Sequence, residues 1–173
     1  MSKYFDMVRI YNILEKDTND LGSIIHFDER NLDTFGIRVY NLFFMSCNLF
    51  ELAAKEIFKR SSGNTESDMG DWKLDLIICQ YSKVELTFEP MGFNFKPMEA
   101  LGSAKIDDRK LTWWQNYNSV KHNLSHIDKA TLRNLIYALS SAGLLTSHIV
   151  HPDGMCGVNR SILFDGLYIP DVR

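Results

Sequence analysis

Long apolar runs are missing from this chain. The longest candidate, Val39 to Ala54, is interrupted by Asn41, Ser46, Asn48 and Glu51, which makes it too polar and too short for a membrane span. Proline occurs four times and glycine ten times, too rarely for long disordered stretches, and neither an internal repeat nor a low-complexity tract occurs. Cysteine is limited to Cys47, Cys79 and Cys156, far apart and odd in number; the expectation is reduced thiols in a cytoplasmic protein. The first twenty residues carry Asp6, Glu15, Asp17 and Asp20 and lack the apolar segment of a secretory signal. No Gly-rich phosphate loop, G-x-S-x-G elbow, CxxC or HExxH pattern is present. Hydrolases of those designs are thereby excluded. Charge of one sign is also lacking: the net charge is −3, so the chain as a whole is no strong polyanion binder.

What is present is helical patterning over the length of one domain, residues 1–173, enough to bury roughly 70% of the unfolded surface. Tyr4 to Leu14 carries an apolar stripe at three-and-four spacing, ended by the polar stretch Lys16 to Ser23. Asn31 or Asp33 is placed to cap a long helix reaching about Arg60. That helix is apolar nearly all round, as a central helix is. Asp71 can cap a shorter helix from Trp72 to about Lys83. Val84 to Phe88 and Phe93 to Lys96 alternate with period two and predict a small hairpin or extended insertion. Asp107 and Asp108 are placed to cap the helix that follows, and Asp128 or Ser125 a last helix running to about Val150. Small residues from Ala138 to Gly143 would let another helix approach closely. From about residue 151 the tail is loop-rich, with Ser161 to Phe164 as a strand or docking segment. The expected fold is mainly all-α: an up-down bundle of four to five helices with a small extended or hairpin insertion.

The densest chemistry lies in Trp113 to Asn123. On a helix, Trp113, Tyr117, Val120 and Leu124 share an apolar arc. Trp114, Asn118, Lys121 and His122 share the neighbouring one, which offers a stacking ring, an amide, a cation and an imidazole. His122 could move a proton near neutral pH, Lys121 hold a phosphate, Asn118 orient a ribose or phosphoryl oxygen, and Trp114 stack on a base. Equally, Trp114 and His122 could be packing residues and Lys121 a snorkelling one. From Ser103 to Arg133 six bases meet three acids, a local +3 against −6 for the remainder. Arg109 and Arg133 in this segment are therefore further candidates for an anionic ligand. His148, His151 and Cys156 are donors of usable type within nine residues, but no recognised spacing frames them and no fourth ligand is evident. No metal site and no cofactor are expected.

Trp113, Trp114, Tyr117, Asn118, Val120, Lys121 and His122 form a W-W-x-x-Y-N-x-V-K-H signature, followed by the helix beginning Ala130-Thr131-Leu132-Arg133. Together with the upstream helix from Phe35 to Leu52, this resembles a branch of the bacterial HEPN-like proteins over most of residues 30 to 150. The resemblance implies a helical bundle, a homodimer, and links to toxin–antitoxin or abortive-infection systems. Many HEPN members are metal-independent RNases with an arginine four to six residues before a histidine, commonly followed by a polar residue. His122 and Asn118 match the histidine and the polar residue as catalytic candidates. Tyr117 stands where the arginine would be, and none of the five histidines follows an arginine at that spacing. The expectation is accordingly a non-catalytic or weakly active module that binds RNA, a nucleotide or a protein partner, with no membrane association. Lys121, Trp114, Arg109 and Arg133 would be its ligand-binding residues. The alternatives are an RNase using His122 with a cation from Lys121, Arg109 or Arg133, and a purely structural interaction subunit.

Overall fold

A computed structural model describes residues 3–150 and 158–170. The architecture is mainly helical. Four long helices carry it: α1 (Lys3–Leu21), α2 (Ile37–Ser62), α5 (Thr112–His122) and α6 (Leu132–Val150), with two single turns, α3 (Met69–Trp72) and α4 (Leu76–Cys79), between α2 and α5. Met7, Val8, Tyr11, Leu14, Thr18 and Leu21 keep one face of α1 buried. For that reason α1 continues through the polar stretch expected to end it, and stops only at the turn after Leu21.

Several expected caps are replaced. Helix α2 begins after Gly36; Asn31 sits in a short 3₁₀ turn, and Asp33 pairs with Arg133 at 3.4 Å. The single helix expected from Trp72 is split, because Asp68 forms a capping box with Asp71 and Asp75 accepts from the Ile77 and Ile78 amides. Each acid starts its own turn. Asp107 and Asp108 lie in a separate 3₁₀ turn, and the residue preceding α5 is Leu111, which makes no side-chain cap. Thr131, not Asp128 or Ser125, accepts from the first turn of α6 through its hydroxyl, from the Asn134 amide at 3.3 Å.

The central helix is α6. Fourteen of its residues are buried, from Leu132 to Ile149, whereas α2 leaves Ile37, Met45 and Leu52 exposed. The small residues of α6 explain the exchange of roles. A Cβ on Gly143 would stand 2.6 Å from the Tyr11 ring and 2.7 Å from Leu167, so α1 and the tail close onto α6 at a point where only glycine fits. Helices α2 and α6 run in the same direction. Their starts are joined by a bridge between Phe35 and Thr131, and their ends by Arg60 donating to the Ile149 carbonyl at 2.9 Å. Helix α1 runs against them, its Tyr4 hydroxyl donating to Glu56 near the end of α2 at 2.8 Å. The order is therefore not a plain up-and-down one: residues 63–131 carry the chain back to the start of α2 before α6 begins.

The predicted hairpin is present. Strand β1 (Leu86–Phe88) pairs antiparallel with β2 (Phe93–Phe95), in the register Leu86 opposite Phe95. After α6, β3 (Val158–Arg160) pairs with β5 (Tyr168–Pro170), and β4 (Phe164–Asp165) joins the free edge of β1. The tail is held from below by Glu15, whose buried carboxylate accepts from the Ser161 hydroxyl, the Tyr11 hydroxyl at 3.3 Å and the Leu163 amide at 3.3 Å. Three partners on one buried carboxylate satisfy it without water. Among the described residues, no helix is long and apolar enough to cross a membrane.

Candidate functional site

Helix α5 positions the site. Trp113, Tyr117 and Val120 recur at helical spacing and are buried against the core, which fixes the roll of the helix. Trp114 joins them. It is only 7 % exposed, and its ring lies 5.0 Å from Tyr117, 5.5 Å from Phe50, 5.6 Å from Trp72 and 6.0 Å from Trp113, centroid to centroid. Such tilted and edge-to-face pairs contribute about 0.5–1.5 kcal/mol each beyond their burial. Trp114 is therefore a core residue that borders the surface; the open stacking face expected of it is absent.

The remaining residues of the expected polar arc separate. Lys121 leans 5.2 Å above the Tyr117 ring and lies 3.8 Å from Glu51. The Tyr117 hydroxyl donates to Asn48 at 2.8 Å, and burial, then Glu51, push its acidity well beyond the ordinary phenol range. A neutral phenol thus fills the place where an arginine would stand in the RNase motif. His122 is exposed in the last turn and, among the described residues, makes no hydrogen bond or ion pair. It has neither a partner to orient it nor walls to exclude water, both of which general acid–base work requires. It follows Asn118 by one turn on the same side of α5.

The opposite end of α5 is where cavities form. A central hollow of 340 Å³ lies at the first turn, bordered by Lys96, Glu99, Lys110, Trp113, Arg133 and Tyr137. A second, of 280 Å³, lies along α5 and is bordered by Lys73, Arg109, Lys110, Trp114 and Asn118. A third, of 410 Å³, reaches the hairpin and is bordered by Glu29, Phe93, Asn94, Arg133 and Tyr137. The central hollow shares Lys110 with the second and Arg133 with the third. The three form one cleft, with five cationic side chains (Lys73, Lys96, Arg109, Lys110, Arg133) against two carboxylates (Glu29, Glu99).

No family model, curated protein or solved structure matches this chain. The cleft is therefore judged by its own chemistry. Tyr137 is half-buried, and burial raises its phenol above the ordinary range, with Arg133 opposing; it meets any ligand as a neutral ring. Asn134 is 8 % exposed, its amide nitrogen donating to the Lys129 carbonyl at 2.7 Å. Its Oδ1 accepts nothing among the described residues, which leaves an acceptor at the central hollow that Asn134 helps to line. The amides of the first turn of α5, uncapped by any side chain, add partial positive charge at the same place.

Of the residues nominated from sequence, Arg109, Asn118 and Trp114 are brought together at one hollow and Arg133 at the other two. Lys121 and His122 border none of the three. Arg109 is partly a structural clasp, donating to the Ser103 carbonyl at 2.7 Å and the Lys73 carbonyl at 2.8 Å. Sequence reasoning missed Lys96, Lys73, Phe93 and Tyr137, which reach the cleft from other elements. It also passed over Lys110, though that residue lies inside the positive segment. Among the described residues, no group of three or more His, Cys, Asp or Glu could hold a metal. His148 is instead paired through Nδ1 with the Tyr81 hydroxyl at 2.8 Å, while His151 and Cys156 lie outside the described residues.

Proposed function

We propose that this chain is a HEPN-like helical module that binds RNA or a nucleotide through the cleft around Lys110, without cleaving it. The observation that carries this reading is the grouping of five cations against two carboxylates in three joined hollows, within a chain whose net charge is −3. Such concentration of one sign in a concave site raises the local density of an oppositely charged ligand. Aromatic edges beside the cations suit bases as well as phosphates. The exposed, unpartnered His122 and the neutral Tyr117 in the arginine's place support binding without cleavage.

The test is binding of a fluorescein-labelled twelve-residue oligouridylate, followed by anisotropy, to wild type and to Lys110→Glu/Arg133→Glu. The expected result is saturable binding by wild type, at least a tenfold loss in the double variant, and intact RNA after prolonged incubation with EDTA. Equal binding by both proteins would overturn the reading. RNA cleavage that disappears in His122→Ala would replace it with a metal-independent RNase.

A further inference from the structure

We infer that the ligand of this cleft is a single strand of at least three nucleotides, with one nucleoside in each hollow and the linking phosphates at Lys110 and Arg133. The inference rests on the reading of the cleft as a nucleic-acid site and adds the substrate class. It comes from the way the hollows are joined. Lys110 borders both the central hollow and the one along α5; Arg133 borders both the central hollow and the one at the hairpin. A cation thus stands at each junction, and a compartment lies on either side of it. A single strand has the same alternation: a phosphate links each pair of nucleosides. A free nucleotide would occupy one compartment and use one junction.

The walls fit the same assignment. Phe93 and Tyr137 border the hairpin hollow, Tyr137 and Trp113 the central one, and Trp114 the one along α5. Trp113 and Trp114 are 2 % and 7 % exposed, so they offer edges. Phe93 and Tyr137 are only half-buried and offer ring surface. The strongest stacking is therefore at the hairpin end. Non-sequence-specific single-strand sites are built this way, with cations tracking the backbone and aromatics taking the bases. The five cations come from four separate stretches, Lys73, Lys96, Arg109 with Lys110, and Arg133. That spread follows a path along the surface instead of marking one phosphate pocket. A duplex would hold its bases stacked and its phosphates outward, and could not seat a base in each hollow.

The experiment is a length series by competition anisotropy at fixed salt. The competitors are UMP, the uridine di-, tri- and hexanucleotides, tripolyphosphate and a twelve-pair RNA duplex. Affinity should rise roughly tenfold with each nucleotide up to three, since one stacked base is worth about that factor, and flatten beyond. Arg133→Ala should bring the trinucleotide down to the level of the dinucleotide while leaving UMP within twofold. Tyr137→Leu, and separately Phe93→Leu, should weaken the trinucleotide about tenfold and leave tripolyphosphate unchanged; circular dichroism of each variant confirms that it is folded. UMP binding as tightly as the trinucleotide would overturn the strand assignment and leave the nucleotide-binding reading standing. Tripolyphosphate or the duplex competing as well as the trinucleotide would overturn it also. No binding by any oligonucleotide would sink both readings.

Discussion

Replacing Gly143 by alanine sets helix propensity against packing. Glycine in a helix interior costs about 1 kcal/mol relative to alanine, so propensity alone predicts that Gly143→Ala stabilises the protein. The structure predicts the opposite. The added methyl would lie 2.6 Å from Cε2 and 2.9 Å from Cζ of Tyr11, and 2.7 Å from Cδ2 of Leu167. Neither neighbour can move aside freely. Tyr11 is fully buried, with its hydroxyl on Glu15, and Leu167 is 2 % exposed in the folded tail. Overpacking of this kind costs about 1–3 kcal/mol. With clashes against two separate elements the upper end applies, and after the propensity gain the net loss is about 2 kcal/mol. For a domain of this size that corresponds to a fall in Tm of about 4–8 °C. Guanidinium unfolding followed by tryptophan fluorescence measures it. The midpoint should fall, and trypsin should cut nearer Arg160 faster than in wild type, because the tail is the softer of the two elements. A midpoint equal to or above that of wild type would refute the account of α6 as the helix that α1 and the tail close upon.

Three further outcomes are expected. Trp114→Phe should lower stability by about 1–3 kcal/mol, as the aromatic cluster loses volume, and leave oligouridylate affinity within twofold; a tenfold loss of affinity in the folded variant would restore Trp114 as a ligand contact. His122→Ala should change neither stability nor RNA affinity measurably, since the ring is exposed and unpartnered; loss of binding in a titration would place the ligand at the other end of α5. Burial, and then Arg60, lower the pKa of His148 while Asp75 opposes, so the unfolded chain binds more protons there than the folded one. Stability from this group is full above the ordinary histidine value of about 6.5 and is lost as pH falls below it towards the folded pKa. Tm measured from pH 8 to 5 should therefore decline less in His148→Gln than in wild type, and parallel curves would contradict the assignment.

The fold class was legible because it rests on periodicity. The stripe of α1, the seams of α2 and α6, and the alternation of β1 and β2 are local patterns, and each formed the element it implied. Caps were less legible. Asp68, Asp71 and Asp75 are equivalent as sequence, and only tertiary packing decides that Asp68 and Asp75 begin turns while Asp71 closes the capping box. The central helix was misplaced for a related reason: apolar residues all round α2 looked buried, yet Ile37, Met45 and Leu52 face outward, whereas the small residues of α6 are what permit neighbours on every side. In the candidate site, helical spacing correctly grouped Trp114 with Asn118 but could not say which side of the ring the core would take. The cleft itself was nearly invisible. Lys73, Lys96 and Tyr137 are separated by 23 and 41 residues, and no motif joins residues that meet only because the chain returns to the start of α2. The charge imbalance from Ser103 to Arg133 was the one signal pointing there, and it contains Arg109, Lys110 and Arg133.

The cleft's role in binding is tested most directly by the salt dependence of oligouridylate affinity in wild type and Lys110→Ala. Each phosphate neutralised on a single strand contributes about −0.7 to the slope of log affinity against log salt. Wild type should show a slope of about −2 to −3, for three to four phosphates. Lys110→Ala should reduce its magnitude by about 0.7, with weaker binding at every salt concentration. Identical slopes and affinities for the two proteins would contradict a ligand phosphate at Lys110, and with it the account of the cleft.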